Sequence, residues 1–240
     1  MKRVLNHFKN NPVVLIIVLL GIIVCLLGKD GVIWVGIGCS LIASSICSFI
    51  TSFYSNKKSE AEEIINDWGL LKIYNTKTEM NIDSNSDLDS AHEEIDIIAI
   101  GMKNFLAVKK DLLEKKLAKK VRIRIISCGK KDMVQQREKD ESQSNRVTDS
   151  MAQEVDDLVR WVESVKKGND IEIKFYYSYP GLSYMRIDNN VYVGPDLVRM
   201  PSQQSMAYKY SRFGLGGNYY TVYFDKIWND ELLCKNERDW

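Results

Sequence analysis

Histidine is almost missing from this chain of 240 residues: it occurs twice, as His7 and His92. Chemistry that needs an imidazole nucleophile, base or metal ligand is therefore excluded from everything beyond residue 92. Cysteine is scarce as well, and three of the five, Cys25, Cys39 and Cys47, lie in apolar stretches near the start. Cys128 and Cys234 are too isolated for a disulfide framework or a metal site, which agrees with a reducing compartment. An excess of one charge is lacking too: 33 basic against 32 acidic residues leave +1, so no strong pull towards nucleic acid or acidic lipid exists. Most telling is the lack of any charged side chain in Pro12–Gly28 and Val32–Phe53, stretches of 17 and 22 residues.

A bilayer core about 30 Å thick needs roughly 20 apolar residues in a helix, so both stretches are expected to span it. Lipid offers no partner for a free N–H or C=O, so both must be helical, and the turn Gly28-Lys29-Asp30-Gly31 makes them antiparallel. Lys2, Arg3 and Lys9 precede the hairpin and Lys57 and Lys58 follow it. The positive-inside rule then predicts a multi-pass membrane protein with its N-terminus and C-terminal domain cytoplasmic. A cleaved signal peptide is the alternative for the first stretch, but no small-residue cleavage site follows it.

In the second stretch Gly36, Ser40, Ser44, Ser48 and Ser52 recur four apart, beside Cys39, Ala43 and Cys47. Small faces let helix backbones approach closely, so this one is expected to meet another helix. That helix is either the first stretch, within one hairpin, or a second copy, with the serines lining a polar seam or pore when hairpins gather.

Residues 56–80 are expected to hold a connecting helix that runs to about Gly69, since Ser59-Glu-Ala-Glu62 has capping-box spacing with Ser59 as the N-cap and Ile64, Ile65, Trp68, Leu70 and Leu71 follow. Residues 81–240 are expected to form a cytoplasmic α/β domain. Asn81 to Ser90, rich in Asp, Ser and Asn, reads as an exposed loop. Strands are predicted at Ile95–Ile100, Val121–Ile126 and Ile171–Tyr176, with helices at Phe105–Lys120 and from Val147 to Val162. Lys130 to Arg146 reads as a polar connection, and Arg137-Glu-Lys-Asp-Glu141 within it as a solvated charge run. Tyr184–Ile187 and Val191–Gly194 form a hairpin around Asp188-Asn189-Asn190, and Tyr219–Leu233 a closing helix. Strands separated by helices imply a mainly parallel sheet in the order βαβαβββα.

The run Tyr184-Met-Arg-Ile-Asp-Asn-Asn-Val-Tyr-Val-Gly194, after the strand Ile171–Tyr176, resembles the segment of phospholipase D-like domains that carries His-x-Lys-x-x-x-x-Asp on a β-hairpin. The resemblance covers roughly the last 150 residues by element order. It implies a fold whose histidine attacks a phosphodiester while the lysine steadies its oxygens. With Asp188 at the motif's aspartate, Gly181 stands at the histidine and Ser183 at the lysine. The resemblance therefore implies a degenerate copy with no catalytic residues, in which Asp188 is a turn residue.

Other chemistry is sparse. His92, Glu93 and Asp96 invite comparison with metal ligands, but Asp96 lies in a predicted strand, and neither a metal nor a cofactor is expected. Gly214-Leu-Gly-Gly217 lacks a following Lys-Ser/Thr and matches no P-loop, so it reads as a flexible lead into the last helix. Arg186, Arg199, Lys209 and Arg212, with Ser202 and Ser205 near Tyr208 and Tyr210, form the best candidate pocket for a nucleotide or phosphate.

A two-span hairpin on a domain stripped of hydrolytic residues is similar to bacterial antiphage, abortive-infection effectors that damage the inner membrane when a trigger is released. Retron-type two-span effectors, restrained by a reverse transcriptase with its RNA–DNA hybrid, resemble it most, and nucleotide-triggered effectors come next. The resemblance implies a homo-oligomer in the lipid bilayer, with no direct sequence-specific nucleic-acid binding. A membrane-anchored phosphodiesterase, nuclease or lipid hydrolase, and a passive membrane adaptor, are the alternatives.

Overall fold

The computed structural model describes residues 12–27, 31–142, 148–178 and 181–240. The chain divides into two compact units, Met1–Ile64 and Ile65–Trp240. The turn expected at residues 28–30 lies outside the described residues.

The first unit contains α1 (Pro12–Leu27) and most of α2 (Val32–Trp68). Within α2, Val32–Ser52 is long and apolar enough to cross a membrane, with 21 residues at a mean hydropathy of 2.0. The described residues of α1, 16 in number, rise about 24 Å. The two helices meet through glycine. A Cβ on Gly38 would lie 2.7 Å from the Gly21 carbonyl oxygen, and one on Gly21 would lie 2.8 Å from Ile42, so neither position admits a side chain without separating the helices.

The second unit is an α/β domain built on one sheet of eight strands among the described residues. In chain order they are β1 (Leu70–Tyr74), β2 (Glu94–Ile98), β3 (Arg122–Cys128), β4 (Ile171–Tyr176), β5 (Leu182–Ile187), β6 (Asn190–Pro195), β7 (Ala207–Ser211) and β8 (Cys234–Lys235). They lie in the order β1-β7-β6-β5-β2-β3-β4-β8. The predicted mainly parallel sheet is corrected to a mixed one. Only β2–β3 and β3–β4 run parallel, because only these pairs are joined by helical crossovers. The tight turn at Asp188 and the strands that follow it supply antiparallel neighbours instead.

The helices are α3 (Lys77–Ser90), α4 (Lys103–Ala118), α5 (Lys131–Glu141), α6 (Ser150–Val165) and α7 (Leu215–Trp228), with a 3₁₀ turn at Ser202–Gln204. The connecting helix ends at Trp68, next to its expected end at Gly69, but it does not start at a Ser59 cap: it continues the apolar helix without a break, and a strand and the start of α3 fill the rest of residues 70–80. Asn81–Ser90 is not a loop. The Thr76 side chain accepts from the Glu79 N–H at 3.1 Å, and Met80, Ser84 and Leu88 give α3 a buried stripe every fourth residue. The supposed polar connection holds α5, which buries Val134, Arg137 and Glu138. The last helix begins earlier than expected, and Leu233 precedes a short strand.

One sheet face carries α3, α4 and α6 over Ile95, Ile97, Ile123, Ile125, Met185 and Tyr192. The other carries α7, whose Phe224, Ile227 and Trp228 cover Ile98, Ile126, Tyr184, Val191 and Val193. The glycines before α7 serve close packing: Gly69, at φ +65°, lies so near Gly214 that a Cβ on it would sit 2.8 Å from the Gly214 Cα. They are no flexible lead.

Between α3 and α4, Lys109 is buried without a carboxylate partner among its hydrogen bonds. Its ammonium donates to the Asn81 carbonyl at 2.7 Å and the Ser84 hydroxyl at 2.5 Å. Burial pushes its pKa down from 10.5 to about 8. Between those values the unfolded chain binds this proton more tightly than the folded one. The contribution of Lys109 to stability therefore rises with pH across that window, by about 1.4 kcal/mol per pH unit at most, and is lost as pH falls through the folded value. Lys109→Met is expected to make the change in stability between pH 8 and 10.5, followed by urea melts, less favourable than in the unaltered chain by that contribution. An unchanged pH dependence would mean that Lys109 makes no such contribution.

Candidate functional site

The small residues of α2 do not share one direction. Each step of four residues advances about 40° around a helix with 3.6 residues per turn, so Gly36 and Ser52 end far apart. Gly38, against Gly21 of α1, and Ser45 are buried, and Leu41, Ile42, Phe49 and Ser52 are half-buried. Gly36, Ser40, Ser44 and Ser48 are exposed, and a Cβ on Gly36 would meet nothing within 4 Å. Four of the five small residues are therefore left uncovered.

The proposed basic pocket is dispersed by the alternation of strand side chains. Arg186 projects to the α7 side and is 2% exposed. There it pairs with Glu94, lies 3.3 Å from Asp96 Oδ2 and donates through Nε to the Asp188 carbonyl at 3.0 Å. Lys209 projects to the opposite face, 2.8 Å from Asp87 and over the Tyr192 ring. Arg199 stands in an exposed loop at φ +59°, its N–H bonded to the Asp140 carbonyl. The Arg212 N–H donates to the Asn189 carbonyl, and the Ser205 hydroxyl to the Ser202 carbonyl. Of the six, Ser202 alone lines the principal cleft.

Asp96 is no metal-ligand candidate either. Fully buried, it accepts two hydrogen bonds from Arg124, 2.7 and 2.9 Å long, beside its contact with Arg186. The Arg124 guanidinium lies 4.7 Å from the Phe224 ring centre. Asp188 does more than occupy the turn at φ +48°. Its carboxylate accepts from the N–H groups of His92, Glu93 and Glu94 at 2.9–3.0 Å, fixing the entry to β2.

The cleft opens beyond the C-terminal end of β2, where its neighbours change from parallel β3 to antiparallel β5. Open α/β sheets bind ligands at such switch points. Its volume is about 200 Å³. Met80, Ile97, Phe105, Met185 and Tyr192 make part of the lining apolar, and two ion pairs, in which the side chains of Lys77, Arg137 and Asp196 are buried, make another part charged. Lys77, in the first turn of α3, lies 2.8 Å from Asp196 and 3.2 Å from the Ser202 hydroxyl. Burial pushes the Lys77 pKa down while Asp196 pulls it up. Arg137 lies 2.8 Å from Glu141, one helical turn on, and donates to the Leu197 carbonyl at 3.0 Å. Its Nη2 is 3.9 Å from Asp196, so both cations converge on one carboxylate.

The charge run Arg137–Glu141 is therefore not a solvated face: Arg137 is 2% exposed. Its i,i+4 pairing with Glu141 was readable in the sequence, as was the Thr76-x-x-Glu79 start of α3 that places Lys77. The approach of these elements to Asp196 was not. Ser183, at the position of the family's lysine, lines the cleft with its hydroxyl donated to the Gly194 carbonyl at 3.3 Å.

No known family model and no curated protein matches the chain. Among solved structures it is similar to TrmBL2, an archaeal chromatin protein described as showing a novel mode of DNA binding, at 12% identity and a TM-score of 0.45, over 83% of this chain and 69% of that one. It is also similar to NucT from Helicobacter pylori, at 10% identity and a TM-score of 0.42, over 69% and 97% of the two chains. A phosphatidylserine synthase of Haemophilus influenzae Rd KW20 aligns at 10% identity and a TM-score of 0.47, over 65% of this chain and 36% of the enzyme.

Proposed function

We propose that this chain is a membrane-embedded effector of the bacterial antiphage, abortive-infection kind. In this reading the apolar helices cross the inner membrane, both chain ends are cytoplasmic, and the globular unit is a degenerate phospholipase D-like domain that binds instead of hydrolysing. The observation that carries it is the exposed Gly36–Ser48 side of α2: the hairpin packs through Gly21 and Gly38 and keeps a small, hydroxyl-bearing side for another copy. The absence of histidine beyond residue 92 supports the non-hydrolytic half of the reading.

A trigger acts by binding one state of the domain better than the other, which shifts hairpins from a separated to a clustered arrangement. A reverse transcriptase with its RNA–DNA hybrid, as in retrons, or a nucleotide signal is the proposed restraint or trigger. Induced expression of the full chain in a bacterium is expected to collapse the membrane potential reported by a voltage-sensitive dye, while a version beginning at Asn56 leaves it intact. Toxicity from the Asn56 version, with cleavage of nucleic acid or phospholipid by the purified protein, would overturn the proposal in favour of a hydrolase.

A further inference from the structure

We propose that the cleft beyond β2 takes a small zwitterion with an apolar tail, of the α-amino acid class. This deepens, and rests on, the reading of the globular unit as a ligand-binding domain. The apolar part of the lining is rich in methionine, with Met80 and Met185 only 6% and 5% exposed, which suits an unbranched or thioether-like tail. The volume of about 200 Å³ lies below the roughly 300–1,000 Å³ of sites for drug-sized ligands, so the occupant is small.

The charged lining sets the head group. Lys77 and Arg137 bring two positive charges, and Asp196 and Glu141 bring two negative ones, in the alternating order Lys77, Asp196, Arg137, Glu141. A phosphate seated on the two cations would face Asp196 and Glu141 at close range, with Glu154 adding a further carboxylate on the α6 wall. Burying like charges together without compensation is costly. A head group carrying one carboxylate and one ammonium exchanges partners without stranding either sign: its carboxylate accepts from Lys77 and Arg137, and its ammonium donates to Asp196 and Glu141. The Ser202 hydroxyl, 3.2 Å from Lys77 and 3.3 Å from Asp196, sits between the two signs and serves either.

The test uses the full chain in detergent, with thermal unfolding and calorimetric titration against L-methionine, hexanoate, AMP and inorganic phosphate. L-Methionine is expected to raise Tm saturably, and the other three to have no effect at the same concentration. Glu141→Gln keeps an oxygen acceptor for Arg137 but removes one negative charge. It is expected to weaken L-methionine about tenfold and to admit hexanoate, a reversal that a merely structural role for Glu141 would not produce. Gln203→Trp, at a half-buried edge of the cleft, provides a second variant that fills the space without touching the apolar lining; it gives up the bond that Gln203 accepts from the Asn81 side chain at 3.3 Å, so it is compared with its own ligand-free Tm, from which L-methionine should produce no shift. A larger shift from AMP or phosphate, no shift from L-methionine, or unchanged methionine affinity in Glu141→Gln would each overturn the assignment. Methionine binding by a chain that never depolarises cells would leave the ligand class standing and sink the effector reading instead.

Discussion

Replacing Asp96 by alanine is expected to lower the unfolding free energy of the globular unit by about 3–5 kcal/mol, the cost of stranding charges that were buried as partners. Asp96 is fully buried on the central strand β2, and two guanidiniums converge on it. Arg124, from parallel β3, makes two hydrogen bonds to it, and Arg186, from antiparallel β5, approaches from the other side. Arg186 is the less replaceable: burial, followed by the nearby charge of Arg212, pushes its pKa down to about 10, so it is already held against its preference for water. Without Asp96 it keeps only Glu94 as an acidic partner within ion-pair distance. The measurement is urea unfolding of the full chain followed by tryptophan fluorescence, since Trp161 and Trp228 are buried in this unit. A double variant, Asp96→Leu with Arg186→Met, is expected to recover part of the loss, because an apolar pair of similar volume removes the stranded charge with its partner. A loss below about 1 kcal/mol would mean that water reaches the network and screens it.

The same network shows why part of this structure was legible in the sequence and part was not. The strands Ile95–Ile100, Val121–Ile126 and Ile171–Tyr176 announce themselves as apolar runs bounded by helices, and the structure places β2, β3 and β4 there. The hairpin around Asp188 was equally clear from its turn residues. What escaped were elements whose buried side is polar. The stripe Met80, Ser84, Leu88 of α3 has a serine in its centre, where the hydroxyl receives the Lys109 ammonium, so an apolar count misses the helix. In α5 the buried residues are Val134, Arg137 and Glu138, and two of the three read as surface. Glu138 is buried because its carboxylate accepts from the N–H and hydroxyl groups of Thr148 and Ser150 at the start of α6, a long-range cap that no local pattern reveals.

The candidate site failed for a related reason. Arg186 and Lys209 are close in sequence and similar in charge, yet strand alternation and the fold send them to opposite faces of one sheet, each already held by an acid. Proximity in sequence selects residues of one type; the sheet decides which of them share a space. The residues that do share one, Lys77, Arg137, Glu141 and Asp196, come from the stretch assigned to the connection before the domain, from a run read as solvated charges, and from just past the predicted hairpin strand Val191–Gly194. Their common feature is burial as two opposite pairs at a strand switch point, and that is a property of topology.

The largest functional effect that the proposed effector reading predicts lies in the apolar helix α2. Ser44→Leu, and separately Ser48→Leu, should abolish depolarisation by the full chain while leaving its insertion and amount unchanged. Leucine costs nothing against lipid, so neither change opposes the helix itself, and both positions are exposed on the hairpin, so neither disturbs the Gly21–Gly38 contact. What leucine removes is close approach: it thickens the side of α2 that another copy must reach, and it deletes a hydroxyl that would bond across the seam. Gly38→Leu, in contrast, would separate α1 from α2 and should lower the amount of inserted protein. Ile46→Leu, an exposed apolar exchange on the same helix, is the neutral control. The readouts are dye-reported membrane potential beside quantitative blotting of the membrane fraction. Depolarisation unchanged by both serine substitutions would show that the exposed small side is idle. The clustering step of the proposed function, which rests on that side, would fall with it.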